Sequence, residues 1–177
     1  MTQRPDGADS AAAFADALGA HAAGVTLVTV ADGRDDIGTT VSAFCPLSLD
    51  PPLVLVSLIA GGYPAEVLGR VDAFAVTLLA AGQRMLAGRF AASGRPGARL
   101  LLDGVPHRRA PVSGALIAEG GLAALDCRAT QRLPAGDHVL VIAKVLGVPY
   151  VAESGDPLVR YRGGYPALAD PAPSAPP

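Results

Sequence analysis

Apolar and polar positions change period several times along this chain, and each change marks an element. Phe14, Ala17, Leu18 and His21 recur at helical spacing and give one apolar face. Asp9 or Ser10 can cap that helix and Gly24 can stop it, which predicts a helix over residues 10–22. Residues 25–30 are β-branched or apolar and predict a strand. An Asp-Gly turn at Asp32-Gly33 leads into a second strand over residues 37–44. Residues 45–52 are rich in turn formers and read as a loop. The unbroken apolar run 53–59 predicts a fully buried strand. Gly61, Gly62 and Pro64 break it, and a short helix follows at 65–70. A strand at 74–79 precedes a helix at 83–92 that turns Met85, Leu86 and Phe90 inward. Residues 93–111 show no period and read as loop. Two further strands, 122–130 and 138–148, flank a turn at 133–137, and residues 157–161 add a short edge strand. Closely spaced strands with hairpin turns predict a mainly β chain with short helices, an antiparallel barrel or sandwich rather than alternating βαβ units.

Composition sharpens this picture. The length of 177 residues suits one domain. Half the residues are hydrophobic and 17% are charged, enough to bury a core. The polar start 1–9 and the Pro/Ala-rich end 169–177 are expected to be disordered, leaving a domain at 10–168. A net charge of −2 with 5% aromatics and no Trp argues against nucleic acid as a partner. The most apolar window, 51–60, is too short to span a bilayer and opens on two prolines. With no targeting pattern in the sequence, the expectation is a soluble cytoplasmic protein. Cys45 and Cys127 lie far apart without metal-ligand spacing. They read as two buried reduced thiols, with one disulfide as the alternative.

Candidate chemistry is sparse. No nucleophile elbow, zinc-binding helix or phosphate-binding glycine loop is present. His21 reads as a packing or capping residue and His107 as solvated. His138, opening a strand after Gly136-Asp137, reads either as strand-edge structure or as a site. Consecutive strand residues face opposite sides, so no Asp137–His138 pair is expected. The stretch Gly38-Thr39-Thr40-Val41-Ser42-Ala43-Phe44 offers hydroxyls and backbone amides to a flat heteroaromatic ligand. Six arginines (84, 89, 95, 99, 108 and 109) surround a single acid, Asp103. They could receive phosphates or simply be solvated.

Taken in order, these pieces resemble the flavin reductase-like family, the small reductase components of two-component flavin monooxygenases. The resemblance runs from about Phe14 to Leu168. It is carried by Phe14-Ala15-Asp16-Ala17-Leu18, Ala23-Gly24-Val25-Thr26, Gly38-Thr39-Thr40-Val41-Ser42-Ala43, Ser48-Leu49-Asp50-Pro51-Pro52-Leu53 and Phe74-Ala75-Val76-Thr77-Leu78. Leu86-Ala87-Gly88-Arg89-Phe90-Ala91, Gly136-Asp137-His138 and Tyr161-Arg162-Gly163-Gly164-Tyr165 complete it. The resemblance implies an antiparallel split β-barrel of the FMN-binding type. It implies a homodimer that uses NADH or NADPH to reduce FMN, or FAD or riboflavin, for a partner monooxygenase. Thr39, Thr40, Val41, Ser42, Ala43, Ser57, Gly62, Arg89 and Tyr165 would bind the cofactor, and His138 would orient the nicotinamide. No metal is implied. Gly62 and Pro64 stand where such a family commonly carries Ser-x-Thr, so two phosphate-binding hydroxyls are missing, with Arg89 or its neighbours left to compensate. Cys45-Pro46 and Gly164 depart from the family pattern too. The alternative function is a non-catalytic barrel that holds a flavin or another flat cofactor.

Overall fold

The structure is a computed structural model that describes residues 7–33 and 36–168. The disorder expected over 1–9 is corrected at Gly7–Asp9, which open the first helix, while 1–6 and 169–177 lie outside the described residues. Helix α1 (Gly7–Gly19) leads to β1 (Ala23–Gly24), β2 (Thr26–Val30), β3 (Ile37–Val41), β4 (Phe44–Leu49) and β5 (Pro52–Ile59). Then come α2 (Tyr63–Arg70), β6 (Ala73–Leu78), a 3-10 turn (Ala81–Gln83), α3 (Arg84–Ala91) and α4 (Ala98–Leu101). The short pair β7 (His107–Arg109) and β8 (Leu116–Ala118) precedes a long hairpin, β9 (Ala123–Ala135) and β10 (His138–Val151), and β11 (Val159–Arg160) ends the series.

Seven strands form one antiparallel sheet in the order β3-β2-β6-β9-β10-β5-β4. Laid flat, its outer strands would stand about 29 Å apart. Yet β3 and β4 are joined through Ser42 and Ala43 alone, a link of at most about 11 Å. The sheet therefore curls into a barrel. Residues from β2, β3, β5, β6, β9 and β10 accordingly meet in a single core with Val56, Phe74, Val76 and Val141, to which α2 adds Val67 and Leu68. A second core packs α3 and α4 on the outside of β2 through Leu27, Leu86, Phe90 and Leu102. Mainly β architecture and antiparallel pairing are thus as expected, and the barrel is chosen over the sandwich.

Several local expectations are corrected. Residues 45–52 are mostly strand, because β4 is an edge where Pro46 displaces no ladder bond that a neighbour needs. β5 is buried on one face only, through Val54, Val56 and Leu58, while Ile59 is exposed. Met85 points outward, 74% exposed, and Leu86, Ala87 and Phe90 carry the inward face of α3. Phe14 and Leu18 share a face of α1, but at 65% and 58% exposure that face covers nothing in this chain. The 93–111 loop contains α4 and β7. The β9–β10 turn shrinks to Gly136-Asp137, with Gly136 at a positive φ of 61°. Cys45 is exposed and Cys127 buried, and both are free. Burial pushes the Cys127 thiol up to about 12, which leaves it inert. Among the described residues no helix is long and apolar enough to cross a membrane.

Candidate active site at the barrel seam

At the seam where β3 meets the β4–β5 side, the two ends of the strand order come together without a ladder between them among the described residues. A backbone bond from the Ser57 amide to the Ala43 carbonyl, 3.0 Å, ties it. Beside that tie lies a cleft of about 780 Å³, a size typical of small-molecule sites. Its walls are β3 with Ser42 and Ala43, the end of β5, the first turn of α2, residues 91 and 93–97, and His138.

The β3 wall presents backbone as well as side chains. The Gly38 carbonyl accepts from Arg95 Nε at 2.8 Å, so it points away from β2. In an antiparallel strand the two polar groups of one residue share a side, which turns the amides of Gly38 and Thr40 toward the seam. Gly38 is required for a second reason. A Cβ there would stand 2.5 Å from the ring of Phe90, so its absence lets α3 lie against β3. The Thr40 hydroxyl donates to the Ala87 carbonyl of α3 at 2.7 Å and is spent on that packing.

The α2 wall is poor in donors. Gly62 caps the helix without a side chain. Its amide donates to Ile59, and the amides of Ala65 and Glu66 donate back to the Gly62 carbonyl. Pro64 has no N–H to offer, and the Tyr63 hydroxyl donates to Asp32 at 3.2 Å.

The opposite rim is fastened by a buried acid. Asp36, 1% exposed, receives the guanidinium groups of Arg99 and Arg109, the latter at 2.8 Å. Its backbone carbonyl accepts the Ala98 amide. Burial alone would raise the Asp36 carboxyl. Hydrogen bonds from Arg109 and Arg99, with their charges, outweigh burial and hold it below the ordinary carboxylate range. Two arginines of the basic segment are thus structural.

At the far end, Asp137 Oδ1 lies 2.7 Å from His138 Nδ1. The expectation of no such pair is corrected: Asp137 belongs to the turn, where strand alternation does not apply. The bond to His138 lowers the Asp137 carboxyl. An ionised carboxylate only accepts, so Nδ1 donates this bond, and with the proton on Nδ1 a neutral imidazole presents Nε2 as an acceptor.

The sequence profile described as flavin reductase like domain matches residues 18–169. The chain belongs to the flavin reductase-like family. An NADH-dependent FMN reductase of Streptomyces nodosus subsp. asukaensis is 38% identical over 161 residues, covering 89% of this chain and 85% of that protein. The reductase component of a 4-hydroxyphenylacetate 3-monooxygenase from Thermus thermophilus is also 38% identical, over 90% of this chain and 98% of its own length. Among solved structures, the flavin reductase component of a bacterial two-component tryptophan halogenase superposes with a TM-score of 0.83 at 31% identity, covering 91% of this chain and 99% of that one.

In this flavin reductase-like chain, Thr39, Thr40, Val41, Ser42, Ala43, Ser57, Gly62 and His138 all line the one cleft. Arg89 and Tyr165 do not. Arg89 turns toward the Leu101 carbonyl, 3.4 Å away, and Tyr165 packs on the outer core with Arg84 over its ring. Sequence reasoning named Arg95 only as one of six arginines that could receive phosphates, and it missed Ser93 on the rim. The available signal was Gly94-Arg95-Pro96-Gly97, an arginine set among backbone-shaping residues.

Proposed function

We propose that this chain is an NAD(P)H-dependent flavin reductase whose substrates meet in the seam cleft. The observation that carries the reading is convergence. An open strand edge, hydroxyls of Thr39, Ser42 and Ser57, and His138 surround one cavity of suitable size. Flavin rings are flat and carry carbonyls and ring nitrogens at their edges, which matches a wall of backbone amides spaced by small side chains. When both are bound, the nicotinamide gives a hydride to the flavin, chemistry the two cofactors supply between themselves. The protein's part is then to bind, align and exclude water. Gly38, Thr40 and Ser42 would hold the ring edge, and Thr39, Val41 and Ala43 would pack beside it. His138 Nε2, an acceptor by virtue of Asp137, would receive the carboxamide N–H of the nicotinamide and set its orientation. The preferred flavin is FMN or FAD, consistent with the NADH-dependent FMN and FAD reductases among its relatives.

The reading extends to partners. Phe14 and Leu18 are exposed on α1, and a second groove of about 910 Å³ beneath that helix shares Ser42 and Ala43 with the cleft. A second copy of the chain covering this face would complete the site. Reduced flavin would then pass to a monooxygenase component, in the cytoplasm where NADH is made.

Anaerobic mixing of the protein with NADH or NADPH and each flavin tests the reading. Flavin absorbance near its visible maximum is expected to bleach far faster than without protein. Tight flavin binding without bleaching above the protein-free rate would favour the non-catalytic binder instead, a reading that the missing hydroxyls at Gly62 and Pro64 support.

A further inference from the structure

Among the described residues that line the cleft, Tyr63 is the single Phe, Tyr or Trp. It opens α2 and is 52% exposed, and nothing in the proposed chemistry uses it. Its neighbours on this wall are apolar as well. Ile59 is exposed, and Pro64 adds a second ring. Polar groups here are mostly spent. The amides of Gly62, Ala65 and Glu66 are bonded, and Pro64 has none. The wall therefore offers a flat apolar face, and a charged group would find few donors on it.

The Tyr63 ring is also held still. Its hydroxyl donates to Asp32 Oδ2 at 3.2 Å, and Arg70 Nη2 donates to the same oxygen at 2.7 Å. Glu66 accepts from Arg70 Nη1 at 3.1 Å. Pro64 narrows the backbone choices of Tyr63 itself. The tie is at the hydroxyl, so it covers neither face of the ring. A ring fixed this way loses little freedom when another stacks on it.

Its place along the cleft narrows the ligand. Asp32 follows β2, whose last residue, Val30, pairs with Ile37. Tyr63 therefore stands at the Ile37 end of the β3 wall, away from the tie between Ala43 and Ser57. From Ala43 back to Ile37 that wall runs about 20 Å at the rise of a strand. A flavin with its ring edge on the amides of Gly38 and Thr40 leaves Tyr63 to what its side chain carries beyond. The group that suits a bare phenol face is flat and has π-faces of its own, as a purine does.

We propose that Tyr63 is a stacking platform for the adenine of a flavin dinucleotide, and that it makes FAD rather than FMN the preferred flavin of this cleft. This rests on reading the cleft as a flavin site. FMN and riboflavin carry no purine and gain nothing from the ring.

The test compares dissociation constants for FAD, FMN and riboflavin, from flavin fluorescence titrations without nicotinamide, in the unmodified protein, Tyr63→Ala and Tyr63→Phe. The unmodified protein is expected to bind FAD about fivefold to fiftyfold tighter than FMN, or about 1–2.3 kcal/mol, as for one base on one aromatic side chain. Tyr63→Ala should remove most of that preference and leave FMN and riboflavin within about twofold of their unmodified values, and Tyr63→Phe should keep most of it. Equal binding of FAD and FMN, or a preference that survives Tyr63→Ala, overturns the assignment while leaving the cleft a flavin site. Weakening of all three flavins alike in Tyr63→Ala makes the residue structural and overturns it too. A loss in Tyr63→Phe as large as in Tyr63→Ala gives the effect to the tie with Asp32 and overturns stacking. A raised KM for NADH in Tyr63→Ala, with the FAD preference intact, overturns the assignment in favour of the adenine of the nicotinamide dinucleotide. Failure of all three flavins to bind the unmodified protein overturns the assignment and the flavin reading together.

Discussion

At His138 the chemistry turns on which ring nitrogen holds the proton, and Asp137 decides it. His138→Ala is expected to raise the KM for the nicotinamide and slow hydride transfer about tenfold to a hundredfold, about 1.4–2.7 kcal/mol of alignment. Flavin affinity and the melting temperature should hardly move. Stopped-flow reduction at saturating flavin checks the rate, and a variant that reduces normally but melts early would make the histidine structural. Asp137→Asn should give a smaller loss in the same direction. Eight of the ten site residues expected from the sequence line the cleft, because strand spacing carries Thr39 to Ala43 and turn chemistry carries His138. The choice of Arg89 over Arg95 had no such support. Which arginine of a basic run faces a cavity depends on where the acids fold, and Asp36 reaches Arg99 and Arg109 from more than sixty positions away.

At the scale of elements, the site depends on α3 lying flat against β3. Gly38→Ala should push Phe90 off the strand and cost about 1–3 kcal/mol, read by urea denaturation. The Asp36 junction gives a pH dependence whose sign is fixed. Its folded carboxyl is lowered, so its stabilisation is complete above the unfolded value near 3.9. That stabilisation is lost as pH falls through the lower folded value. Asp36→Asn should cost about 1–3 kcal/mol at pH 7, and the gap between the variant and the unmodified protein should close in urea titrations taken at successively lower pH. β4 escaped the sequence because Pro46 and the surrounding turn formers look like loop, and only the finished sheet reveals a tolerant edge. β7 and β8, three residues each, are too short to show a period.

For the whole molecule, the unmatched apolar face is the leading clue. Phe14 and Leu18 on α1, with Leu49 at 97% exposure on β4, predict a dimer by light scattering at micromolar concentration. Leu18→Glu should shift it toward monomer, and a monomer in the unmodified protein with and without flavin would refute the assembly. Barrel and sandwich were indistinguishable from strand spacing alone. What separates them is the short link from β3 to β4, which is visible only once β4 is known to be a strand. The topology has a further effect on the order in which the chain can be put to use. β2, β3 and β6 make one wall of the sheet, β4 and β5 the other, and apart from the seam at Ser42 and Ala43 the two are bridged by the β9–β10 hairpin. β5 pairs with β10 as far as Lys144. A nascent chain on the ribosome therefore carries both walls early but cannot join them until its last long strand has emerged. Chains cut short before His138 would keep every other residue of the cleft and still lack the strand that pairs β5 into the sheet.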